Sequence, residues 1–140
     1  MTHIMLTRLA VTLAFLLTAA LAVPVRAQDG DIAAVITQQM EDFRADDFTA
    51  AFDHASPKIR GLFGTAENFS AMVRGQYPMV HRPGSFRFLD QRETGGETQQ
   101  IVEVEDMQGR RFLLRYDMIA TENGWKINGV SVVPMPDVAA

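Results

Sequence analysis

Three side chains in this sequence carry chemistry suited to moving a proton: His81, Asp90 and Tyr116. A histidine titrates near neutral pH and can serve as general acid or base. His81 follows Tyr77-Pro78 in a short stretch between two differently patterned halves of the chain, with Arg82 beside it. Its plainer reading is a solvated loop histidine whose ring packs on a neighbour. Asp90 shares alternation parity with Phe86 and Phe88. A regular strand would therefore turn its carboxylate to the apolar side. Tyr116 shares parity with Phe112, Leu114 and Met118, so its hydroxyl would be an inward hydrogen-bond donor. The plainer alternatives are an aspartate at a strand end, meeting water or Arg92, and a buried phenol with an ordinary structural hydrogen bond. Tyr77, Phe88 and Tyr116 are the side chains expected to touch a bound small molecule.

Other constellations have more ordinary explanations. Arg110, Arg111 and Arg115 have the charge of a phosphate or carboxylate clamp, yet cross-strand ion pairs with Glu103 and Glu105 are the expected reading. Asp46-Asp47 resembles half a calcium loop without its remaining ligands, and a capped helix start is the simpler reading. Trp125 follows a turn at the head of a strand, where a large aromatic side chain is expected to plug the core. Met40, Met72 and Met118 fall on core faces. The chain has no cysteine, which excludes disulfides and thiolate zinc sites. No helix-spaced histidine pair suggests another metal centre, so neither metal nor cofactor is expected.

The elements that must position these residues begin after residue 27. Arg8 precedes an uncharged apolar run from Leu9 to Val23, Pro24 breaks it, and Val25-Arg26-Ala27 places small residues three and one positions before Gln28. This three-part layout predicts a secretory signal, residues 1–27, cut ahead of Gln28. The apolar run is shorter than the roughly twenty helical residues that a bilayer requires. With no twin arginine before it, general secretion is the expected route, and the absence of cysteine excludes lipid attachment at the cut. The expectation is a soluble periplasmic or secreted protein with no membrane association after cleavage. Removing Arg8 and Arg26 from 13 basic residues set against 17 acidic ones moves the formal charge from −4 to −6. So acidic a domain attracts no polyanion, and nucleic acid is not an expected partner. Residues 28–140 are enough for one domain with one core, its ordered part spanning about 31–133.

That domain divides into helices and then strands. With Asp31 as N-cap, Ile32, Val35, Ile36, Met40 and Phe43 recur at helical spacing. Phe48, Ala51 and Phe52 mark a second helix. Ser56-Pro57 opens a third, which ends at Gly64, and Thr65 caps a fourth that Gly75 and Tyr77-Pro78 stop. After Pro83-Gly84 the period becomes two. Strands are predicted around Phe86–Gln91, Thr98–Glu105, Arg110–Thr121 and Trp125–Val133, joined by turns at Thr94–Glu97, Asp106–Gly109 and Glu122–Gly124. The inward set on the last strand changes parity between Ile127 and Val130, which predicts a bulge near Asn128-Gly129. The outcome is an α+β domain with helices packed on a curved four-stranded antiparallel sheet.

Ala55-Ser56-Pro57-Lys58-Ile59, Phe63-Gly64, Phe69, Met72-Val73, Tyr77-Pro78, Gly124-Trp125-Lys126-Ile127 and Gly129-Val130 fall in an order that resembles a bacterial family of exported proteins, the domain of unknown function numbered 4864. The resemblance extends from about Ile32 to Val133. Its Gly-Trp-Lys-Ile piece recurs among domains similar to nuclear transport factor 2, which implies a cone-shaped (cystatin-like) α+β fold. The family brings no assigned activity, cofactor or functional residues. Related cones include isomerases in which a carboxylate in an apolar pocket abstracts a proton next to a carbonyl, and this would cast Asp90, His81 and Tyr116 as the machinery of a cofactor-free isomerase- or hydrolase-like enzyme. The leading expectation is instead a non-enzymatic binding or interaction domain holding a small apolar ligand. A structural homodimer, formed on the outer sheet face around Leu113 and Ile119, is the third.

Overall fold

The computed structural model describes residues 25–135, and only the backbone of residues 25–30. Most of the predicted signal, and the tail from residue 136, lie outside these described residues. The elements run α1 (Val25–Arg44), α2 (Phe48–Asp53), α3 (Pro57–Phe63), α4 (Ala66–Gln76), α5 (Pro78–His81), β1 (Pro83–Thr94), β2 (Glu97–Asp106), β3 (Arg111–Thr121) and β4 (Gly124–Val133). Among the described residues no helix is long and apolar enough to cross a membrane.

Helix α1 buries most of the expected stripe: Ile32, Ile36, Met40 and Phe43 are at most 1 % exposed, and Val35 is half-buried against them. It starts earlier than predicted, so Asp31 lies inside the helix rather than capping it. Arg26, Ala27 and Gln28 are good helix formers, and Gly30 alone is too weak a breaker to end the run. The helix stops where Asp46 adopts a left-handed conformation, φ 56°, tolerated by aspartate better than by most residues. Asp47 then caps α2 by accepting the Ala50 N–H at 3.1 Å. Ser56 and Thr65 cap α3 and α4 as expected, through the N–H groups of Ile59 and Asn68. Helix α5 was not anticipated. The Tyr77-Pro78 that stops α4 also starts this extra turn, because proline suits the first helical position, so His81 lies on a helix instead of in a loop.

The strands form one antiparallel meander in the order β1-β2-β3-β4. Along β2 burial alternates strictly. Val102, Val104, Leu114, Tyr116 and Met118 present a fully buried inner face to the helices. The helical half is tied to this sheet at the α2–α3 junction. There the Ser56 N–H donates to the Ile127 carbonyl at 2.8 Å and the Ile127 N–H to the His54 carbonyl at 2.9 Å.

Two bulges decide which side chains face inward. In β4, Asp117 pairs with Gly129 and Met118 with Ile127, leaving Asn128 as the extra residue where a bulge was predicted. In β1, Phe88 pairs with Val102 but Gln91 with Gln100, so the register shifts between them. Gln100 stabilises that irregularity: its side-chain amide donates to the Leu89 carbonyl at 3.0 Å and accepts from Gln91 at 2.8 Å. The shift cancels the parity that was to carry Asp90 inward, and Asp90 is exposed.

On the outer face charged pairs alternate with aliphatic residues. Arg111 meets Glu105 across strands at 3.7 Å, as expected, but Glu103 pairs with Arg87 at 3.2 Å. Arg110 instead contacts Asp106 within the β2–β3 turn at 2.7 Å, and Arg115 contacts Asp117 on its own strand at 3.1 Å. Trp125 is half-buried against the edge of the core rather than plugging it.

Candidate functional site

The helices do not fill the space over the β3–β4 half of the sheet. A cavity of about 360 Å³ lies there, walled by α1, α3, α4, the start of α5 and strands β3 and β4. Its deeper wall comes from Phe43 on α1, Phe69 and Val73 on α4, Val80 on α5 and Ile127 on β4, each at most 5 % exposed. Phe69 organises this side, with ring centroids 5.2 Å from Phe52, 5.8 Å from Phe63 and 5.9 Å from Phe43. The rim is open where Leu62 on α3, 71 % exposed, stands beside Gln76 at the end of α4. None of the described residues lining the cavity is charged.

Polar groups at the cavity are few. Gln39 lines it with its amide N–H₂ committed to the Ala51 carbonyl at 3.0 Å. Tyr77 donates its hydroxyl hydrogen to the Val130 carbonyl at 2.9 Å. Tyr116 lines the cavity from β3 and is completely buried. Its hydroxyl has no hydrogen-bond partner among the described residues. Burial, reinforced by the nearby Tyr77, pushes the Tyr116 phenol well above its ordinary value, so it stays neutral.

Of the residues expected to meet a ligand, Tyr77 and Tyr116 are brought together at this cavity. Phe88 is not among its walls; it packs edge-on against Phe86 on β1, with ring centroids 6.0 Å apart. The three candidates for proton transfer are not assembled. Asp90 is exposed on β1, and His81 lines a separate cleft of about 210 Å³ beside Arg82, Asp106 and Arg110. There His81 Nε2 lies 2.9 Å from Asp46 and its ring packs 5.7 Å from that of Phe48. Arg82 grips the same carboxylate through both oxygens, at 2.9 and 3.0 Å. The hydrogen bonds from His81 and Arg82 hold Asp46 below the usual carboxylate range. This cluster fastens the α1–α2 corner to α5.

Sequence reasoning passed over three groups. His54 Nε2 lies 3.1 Å from Asp42, which also accepts from Gln38 at 2.9 Å. The buried Ser56 hydroxyl donates to Asn128 at 2.7 Å, and Asn128 in turn donates to Glu97 at 2.8 Å, pinning the β4 bulge. Gln39 had a visible signal, a polar residue between Ile36 and Phe43 on the buried face of α1. The other two join residues far apart in sequence.

A helical layer on a four-stranded antiparallel meander, with a cavity between them, defines the class of α+β cones similar to nuclear transport factor 2. One such protein of unknown function, from Shewanella baltica OS155, superposes with a TM-score of 0.50 at 12 % identity, over 81 % of this chain and 99 % of its own. Another of unknown function, from Burkholderia xenovorans LB400, gives 0.46 at 17 % identity, over 80 % and 91 %. No curated protein matches. Within that fold class the chain belongs to the family Domain of unknown function (DUF4864), whose model matches residues 25–140.

Proposed function

We propose that this domain is an exported, non-enzymatic binding module that holds a small, largely apolar molecule between α3, α4 and the β3–β4 half of its sheet. The observation that supports the reading is the cavity itself. At about 360 Å³, it falls within the range of small-molecule sites, and its apolar wall with a few polar groups has their usual composition. The separation of Asp90, His81 and Tyr116 favours binding over proton-transfer chemistry, which requires such groups within hydrogen-bond reach of one substrate atom. The N-terminal pattern supports export by the general secretory route to the periplasm or medium.

Native mass spectrometry tests the reading on protein purified gently from its own compartment. The expected spectrum carries a small-molecule adduct that is lost in Ile59→Trp, whose bulky indole replaces a side chain lining the cavity from α3. An unadducted spectrum for the wild type, together with failure to take up any neutral apolar probe, would refute it.

A further inference from the structure

The walls of the cavity say what kind of molecule suits it. Without a countercharge among the lining residues, an ion entering would lose its hydration with nothing in exchange. An uncharged occupant is therefore favoured. The Tyr116 hydroxyl adds a second requirement. It is the single buried side-chain polar atom among the described residues that lacks a partner, whereas neighbouring Tyr77 has its own acceptor in Val130. Buried hydroxyls are ordinarily satisfied, and leaving one unpaired is unfavourable. Because the phenol stays neutral near neutral pH, its hydrogen is available to donate.

We propose that the cavity takes an uncharged, mostly apolar molecule bearing a carbonyl oxygen, and that this oxygen accepts a hydrogen bond from the Tyr116 hydroxyl. A carbonyl supplies the missing acceptor without bringing a donor that would need a partner of its own among apolar walls. The inference rests on the binding reading above and narrows its ligand class.

Access runs past α3. Among the helices that wall the cavity α3 is the least anchored: it buries none of its residues fully, carries Gly61, and ends at Gly64 with φ 78°. The Tyr116 hydroxyl is itself buried, so side chains lining the cavity must shift before a ligand can reach it. Segments with little buried apolar contact yield first.

A matched pair of probes tests the proposal on the full domain. Benzophenone carries a carbonyl; 1,1-diphenylethylene has the same shape with a methylene in place of the oxygen. Affinities of both are measured by titration for wild type and Tyr116→Phe, which keeps the ring and removes only the hydroxyl. The comparison forms a double-mutant cycle in which the probes' own hydration cancels. The expected result is a benzophenone preference that falls by about tenfold in the variant, as for loss of one buried hydrogen bond, while hydrocarbon binding is unchanged. If both probes bind but the preference is the same in the two proteins, the carbonyl inference is overturned and the binding reading stands. If neither probe binds either protein, both fail together. Anionic 4-benzoylbenzoate is expected to bind at least tenfold more weakly than benzophenone; equal affinity would overturn the requirement for an uncharged ligand.

Discussion

Replacing Tyr116 by phenylalanine is expected to stabilise the ligand-free domain. The ring stays in a fully buried position on β3, while the hydroxyl removed has no partner among the described residues. Burying an unpaired hydroxyl costs about 1–3 kcal/mol in proteins, so Tyr116→Phe should recover roughly 1 kcal/mol, raising Tm by about 4 °C for a domain of this size. Urea unfolding can be followed through the fluorescence of Trp125, the sole tryptophan. The same variant tests the electrostatics. The folded phenol is shifted up from an ordinary value of 10.0, so above pH 10 the unfolded chain releases a proton that the folded chain keeps. Unfolding then becomes more favourable as pH rises, by up to about 1.4 kcal/mol per pH unit. The wild type should lose stability along this slope above pH 10, and Tyr116→Phe should lose less. Below pH 10 this contribution is constant. A variant less stable than wild type by about 1 kcal/mol or more would show that the hydroxyl is well partnered, and an alkaline slope equal to that of wild type would show that the phenol is not shifted by burial.

Three further substitutions probe the frame around the cavity. A Cβ at Gly84 would lie 2.7 Å from the Asp106 carbonyl oxygen, so Gly84→Ala should force β1 from β2 and cost about 1–3 kcal/mol in urea unfolding; a neutral result would mean that the register shift between Pro83 and Ser85 relaxes freely. Ser56→Ala removes both the α3 cap and the donor to Asn128, with an expected loss of about 1–2 kcal/mol and faster amide exchange in α3. Unchanged exchange would show that the cap does not hold the helix. Trp125 is only half-buried, so Trp125→Ala should cost about 2 kcal/mol, short of the 3–5 usual for a deeply buried aromatic residue, as read by circular dichroism.

Local rules made much of this fold legible. Ser56-Pro57, Thr65 and Gly64 bound their helices because capping depends on neighbours a few residues away, and the altered parity from Ile127 to Val130 disclosed the β4 bulge. Asp90 failed for the complementary reason. Its direction depends on a shift in β1 supported by Gln100 on another strand, and no pattern within β1 announces that. His81 was misplaced because Pro78 acts both as a stop and as a start. Tyr116 was legible as an inward residue, but its lack of a partner depends on where Tyr77, Val130 and α4 come to rest. The cavity likewise depends on how far α3 stands from β4, a spacing set by tertiary packing rather than by any motif.

The most direct test of the central claim is a crystal structure of the domain grown with benzophenone. The probe is expected within the cavity, its rings against Phe69 and Met72 and its oxygen about 2.7 Å from the Tyr116 hydroxyl, the usual distance for such a bond. A cavity closed by Leu62 and Phe63, with the probe absent or confined to the outer surface, would contradict it.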